Sequence, residues 1–162
     1  MGKGVTGCRG KLDGEGAKGP KGTYALLLRL EGLEEIVVGR LGKFAFPPGY
    51  YLYVGSALGG LRNRLARHSR PEKRLRWHID YLLQRAQLLE VWNMASEEHL
   101  ECLWAEVARN LPGAQVPIPR FGSSDCRCPS HLVYFAAKPD FALFEERLQA
   151  RRPGAVLSRE IK

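Results

Sequence analysis

Residues 49–68, GYYLYVGSALGGLRNRLARH, gather the groups that phosphate chemistry requires. Residues 50–54 are aromatic and β-branched, bounded by Pro47-Pro48-Gly49 before and by glycines after, which predicts a strand. The period then changes: Leu61, Leu65 and His68 recur at helical spacing, and Arg64 and His68 stand four apart on one face. Gly55 ends the strand where a missing side chain lets a backbone or a ligand approach closely. A strand running into a basic helix brings tyrosine hydroxyls, glycine backbone, a guanidinium and an imidazole near one point. The same text also suits a plain strand–turn–helix with a solvated basic face.

The elements around this junction must position it, and composition bounds what they can be. The chain has 162 residues, 44% hydrophobic and 26% charged, which is one globular domain with a core that needs no staples. No apolar run approaches the ~18 residues of a membrane span, and the N-terminus lacks an apolar signal core. The expected location is cytoplasmic, where Cys8, Cys102, Cys126 and Cys128 would be free thiols or metal ligands sooner than disulfides. Net charge is +8 and unevenly placed. Residues 61–76 hold seven cations (Arg62, Arg64, Arg67, Arg70, Lys73, Arg74, Arg76) against Glu72 alone, a net +6. Residues 1–22 hold five against two, a net +3, so the remainder is slightly acidic. Such concentration beside a glycine-marked junction points to a polyanion partner, with a solvated basic helix as the plain alternative.

Residues 1–21 are glycine- and lysine-rich with little to bury, a flexible leader. The domain proper spans 22–150. Residues 22–30 predict a first strand with Tyr24, Leu26, Leu28 and Leu30 on one face. Strands at 36–38, 43–46 and 50–55 would continue an antiparallel meander. A helix is expected over 77–87 from Ile79, Leu82, Leu83 and Ala86, then a strand over 88–94. Ser96 reads as the cap of a helix with Glu97 and Glu98 in its first turn and Leu100, Leu103, Trp104 and Val107 as its core stripe. A proline- and glycine-bearing loop covers 112–130, a strand 131–137, and Asp140 caps a last helix. The tail, 151–162, is polar and expected to fray. The class is α+β, a small and mainly antiparallel sheet flanked by helices.

With the elements so placed, the chain resembles the GIY-YIG nuclease superfamily. Gly22-Thr23-Tyr24 stands for its first triplet and Tyr53-Val54-Gly55 for its second. Ser56-Ala57, Arg64 and His68 follow its Y-[VI]-G-S-A…R-x-x-x-H run, and residues 101–104 (Glu-Cys-Leu-Trp) resemble the helix bearing its glutamate. The body from Gly22 to Phe144 looks more closely like a branch labelled a domain of unknown function, sometimes attached to endonuclease III-like repair proteins. That branch's text is present in residues 53–57 (YVGSA), 77–82 (WHIDYL) and 122–132 (GSSDCRCPSHL). Two departures stand out: a long interval from Tyr24 to Tyr53, and no match near Asp125 for the late asparagine of the better-known nucleases.

The resemblance implies phosphodiester hydrolysis of DNA, with RNA not excluded, in repair or recombination. It implies Tyr24 or Tyr53 as general base, Arg64 on the scissile phosphate, and Glu101 on one Mg²⁺ or Mn²⁺ ion. A phenol with a pKa near ~10 is a poor base at neutral pH, and His68 or His78 would have to draw off its proton. Gly55, Arg62, Arg67, Arg70, Lys73, Arg74 and Arg76 would contact the nucleic acid. The rival is a module that keeps fold and basic groove but does not cut. Cys126-x-Cys128-x-x-His131, with Cys102 as fourth donor, offers a Cys₃His zinc set. Its C-x-C interval is tighter than the usual two to four residues, which favours a reduced loop cluster.

Overall fold

The computed structural model describes residues 19–162, so the leader expected over 1–21 falls almost wholly outside the described residues. Seven strands are seen: β1 (Gly22–Leu30), β2 (Glu34–Val38), β3 (Gly42–Phe46), β4 (Gly49–Ala57), β5 (Gln87–Ala95), β6 (Leu132–Phe135) and β7 (Ser158–Ile161). The helices are α1 (Leu61–His68), α2 (His78–Leu83), α3 (Glu101–Arg109) and α4 (Phe141–Arg151). The main sheet runs β6-β4-β1-β5-β7, with every pairing antiparallel, and β2-β3 form a separate hairpin. The α+β class is therefore observed.

β1 is the central strand, and its two-residue period divides the core. Tyr24, Leu26, Leu28 and Leu30 face a cluster shared with Tyr51, Tyr53, Leu61 and Ile79. Ala25 and Leu27 face a second cluster with Leu52, Val54, Trp92, Trp104 and Phe144. A strand covered on both sides must be apolar throughout, which is why GTYALLLRL carries so little polar text.

Four expectations are corrected. The strands at 34–46 do not continue a meander; β1 pairs directly with β4, with Leu26 opposite Tyr53. The helix expected over 77–87 stops at Leu83, because Gln87 onward is drawn into the sheet opposite Arg29. Ser96 caps no helix: its Oγ accepts the Glu98 N–H in a local turn, and α3 starts at Glu101. The polar tail is not frayed. β7 pairs with β5, and Arg159 grips the buried Glu90 by two hydrogen bonds of 2.9 and 2.8 Å.

Candidate active site and basic face

The two tyrosines share one face of the sheet, as the Leu26–Tyr53 register requires, with ring centroids 6.5 Å apart. Tyr24 is 0% exposed and Tyr53 7%. Tyr24 Oη lies 2.7 Å from His68 Nε2, at the C-terminal end of α1. Gly55 makes room for that hydroxyl, since a Cβ there would lie 2.4 Å from it. Gly55 is thus a packing position beneath Tyr24, and the expectation that it touches nucleic acid is corrected: it is buried.

Arg64, one turn before His68, donates from one guanidinium nitrogen to the Ser56 carbonyl at 2.9 Å and stacks 4.2 Å above the Trp77 ring. Its charge favours the phenolates of both tyrosines, while that of Glu101 opposes them. Burial outweighs Arg64 at each. It pushes the Tyr24 pKa up to about 12 and that of Tyr53 well above its ordinary value. Burial, then the nearby Lys73 ammonium, depresses His68 to about 3. The Tyr24–His68 pair is therefore neutral near pH 7. Moving the phenol proton onto His68 is costly at both ends, which argues against either tyrosine as a resting-state base.

The basic segment splits into two kinds of residue. Arg67 is structural: its two terminal nitrogens meet the Asp80 oxygens at 2.8 and 2.9 Å, and its guanidinium lies 4.0 Å over Trp77. Asp80 is 0% exposed and also accepts the Arg76 and Trp77 N–H groups, reaching back over the first turn of α2. Lys73 donates to the Arg67 and His68 carbonyls, a cation on the C-terminus of α1. These two charges hold the fold together, and both also line the groove bordered by Arg70 and Arg74. Arg62, Arg70, Arg74 and Arg76 are exposed. Arg70, Arg74 and Arg76 line one groove, and Arg76 also borders a second with Tyr53, Trp77, His78 and Asp125.

His78 is held by the loop after α3. Its Nδ1 accepts the Gly122 N–H at 2.9 Å, and burial lowers its pKa. With Nδ1 an acceptor, the neutral ring carries its proton on Nε2 and can only donate from there. Gly122 has a φ of 70°, and a Cβ on it would lie 2.8 Å from the Tyr53 ring. The loop after α3 is thereby pressed onto the tyrosine.

Glu101 opens α3 with 28% of its side chain exposed, and its Oε1 lies 2.9 Å from His131 Nδ1. It borders a cleft of about 350 Å³ with Ser56, Leu58, His99, Gly122 and Asp125. Beside it, Cys102, Cys126, Cys128 and His131 bring their donor atoms within 4.8 Å of one another.

The structure thus brings Tyr24, Tyr53, Arg64 and His68 together, sets His78 on the groove that Tyr53 borders, and gives Glu101 a histidine partner. Asp80 and Trp77 hold the arginines, roles that the sequence alone does not assign. The available signal was the aspartate three residues after Trp77, a helix-capping interval. Among the described residues no helix is long and apolar enough to cross a membrane. Residues 23–151 match the family described as Domain of unknown function DUF123, and the chain belongs to that family. No curated protein and no solved structure matches it.

Proposed function

We propose that this member of the DUF123 family is a metal-dependent nuclease of GIY-YIG type acting on DNA. The observation that carries the reading is convergence: Tyr24 from β1, Tyr53 from β4, Arg64 from α1 and Glu101 from α3 come within electrostatic reach of one another. These are the four positions on which the sequence resemblance rests. The exposed Arg70, Arg74 and Arg76 beside the Tyr53 groove supply the surface a phosphate backbone would follow.

The donor set at Glu101 suits a hard cation. One carboxylate oxygen faces His131, which leaves the other for an ion that keeps most of its water, as Mg²⁺ and Mn²⁺ do. Bound there, such an ion would activate water and offset charge on the phosphoryl group. The chain's own residues do the rest. Arg64, held by Ser56 and Trp77, places a fixed positive charge against the scissile phosphate. Tyr53 borders the groove and serves as a hydrogen-bond donor to a phosphate oxygen, since burial keeps it protonated. His78 offers an Nε2–H on the same groove. Tyr24 and His68, out of reach of solvent, position Arg64 from below.

A second reading is a binding module that keeps the fold without turnover. It draws on one observation: burial raises both tyrosine pKa values and so removes the general base the resemblance implied. Incubating plasmid, flap and branched DNA with the protein and Mg²⁺ or Mn²⁺ separates the two. Metal-dependent strand breaks support the nuclease; binding of the same substrates without breaks supports the module.

A further inference from the structure

We propose that Cys102, Cys126, Cys128 and His131 form a closed Cys₃His zinc centre, which pins the loop between α3 and β6 against the candidate site. The inference does not depend on nuclease activity. Tetrahedral zinc with Zn–S near 2.3 Å and Zn–N near 2.0 Å places its donors roughly 3.5–3.8 Å apart. The four donor atoms here already lie within 4.8 Å of one another, and Cys126 Sγ is 3.4 Å from His131 Nε2. Closing the tetrahedron takes side-chain shifts of about 1 Å, well within rotamer freedom. The short C-x-C interval is no obstacle, because the third thiol arrives from α3 and the backbone of the loop is already folded on itself. Arg120 N–H donates to the Pro129 carbonyl, and Cys126 N–H to that of Ser123.

Two further observations point to a metal. The first is outside the donor set: Glu101 Oε1 sits 2.9 Å from His131 Nδ1. A carboxylate on one ring nitrogen leaves the other for the ion, the support that metal-bound histidines usually have. The second is the loop itself. Residues 110–131 join α3 to β6 without a helix or strand of their own, a length that rarely holds one conformation unaided. Three thiolates and an imidazole suit Zn²⁺ over hard cations, and four protein donors leave no open position, so the role is structural. The consequence reaches the groove. Gly122, which presses on Tyr53 and donates to His78, lies in this loop.

The test is metal content of the full chain, expressed with zinc and purified without a metal-affinity tag. Wild type should hold one zinc per chain after dialysis, released by a thiol-blocking mercurial. Replacement with Co²⁺ should give the visible bands of a tetrahedral ion and thiolate charge transfer in the near ultraviolet. Cys126→Ser and His131→Ala should each lose zinc, whereas Cys8→Ser should keep it. Should those variants fail to fold, wild type stripped by a strong chelator serves instead: its melting temperature should fall and return with zinc alone. The proposal is overturned by folded wild type that takes up no zinc, by a disulfide within the cluster in freshly purified protein, by full zinc in Cys126→Ser, or by melting that zinc leaves unchanged.

Discussion

Arg67 and Asp80 form a bidentate pair across the basic segment, with the carboxylate wholly inside the protein. The guanidinium and the Arg76 and Trp77 N–H groups hold the Asp80 pKa below the carboxylate range in spite of burial. Arg67 is therefore the wrong residue with which to probe a polyanion surface. Arg67→Ala leaves a buried charge without its partner and should cost about 3–5 kcal/mol. Denaturant unfolding checks this: a midpoint shift under a quarter of that size would mean the pair is solvated.

Arg70→Glu and Arg74→Glu carry the converse expectation. Both side chains are exposed, so melting should hardly move while nucleic-acid binding weakens for every sequence offered. If about four cations, Arg64, Arg70, Arg74 and Arg76, meet phosphates, wild-type affinity should fall roughly a hundredfold between 50 and 200 mM salt. Binding that ignores salt, or that survives both reversals, would move the surface elsewhere.

Acid should weaken the fold through His68. Its folded pKa of about 3 lies below the unfolded value of 6.5, so the unfolded chain takes up the proton first. Stability is thus full above pH 6.5 and falls as pH drops toward 3, by at most about 1.4 kcal/mol per pH unit from this group. His78 acts in the same direction. Asp80 and Glu90, both depressed, add their losses at lower pH, below the ordinary carboxylate range. His68→Gln keeps an acceptor for Tyr24 and should flatten the melting profile between pH 6.5 and 4. An unchanged profile would mean that His68 is solvated and titrates normally.

These pairs mark the limit of what the chain text discloses. β1 could be read residue for residue, because a nine-residue run that is almost wholly apolar carries the whole signal. The Tyr24–Tyr53 convergence was legible only through the paired triplets of the resemblance, since the meander reading put two strands between β1 and β4. Arg67 was not, since its role depends on an aspartate thirteen residues away that reads as helix-surface text. β7 was hidden by the same kind of distance: SREI looks like a polar tail until Glu90, 69 residues before Arg159, is buried beneath it. The cysteine cluster was legible as a set of four donors, Cys102 included; what the fold adds is that α3 packs Cys102 beside the loop.

Glu90 tests that reading of the tail. Its carboxylate, bound by Arg159, Lys138 and the Trp92 indole N–H, is held down to about 2. Glu90→Gln should release β7, raising amide exchange across residues 158–161 and lowering the melting temperature. Protection that stays native would assign the strand's stability to its backbone pairing alone.

The central claim is that Arg64 and Glu101 serve turnover, and that the fold tolerates Arg64→Ala and Glu101→Gln, since glutamine keeps an oxygen for His131. Both are polar residues at the edge of a core, Arg64 over Trp77 and Glu101 at the cleft. Removing groups that act on the transition state lowers rate without disturbing packing. The direct measurement is Mg²⁺- or Mn²⁺-dependent DNA cleavage by wild type, Arg64→Ala and Glu101→Gln, with thermal melting of each. The account predicts that wild type cuts, that both variants melt within a few degrees of it, and that neither cuts at a detectable rate. High Mn²⁺ should partly restore Glu101→Gln and leave Arg64→Ala silent. Cleavage by either variant at the wild-type rate, or none by wild type on DNA that it binds, would contradict it.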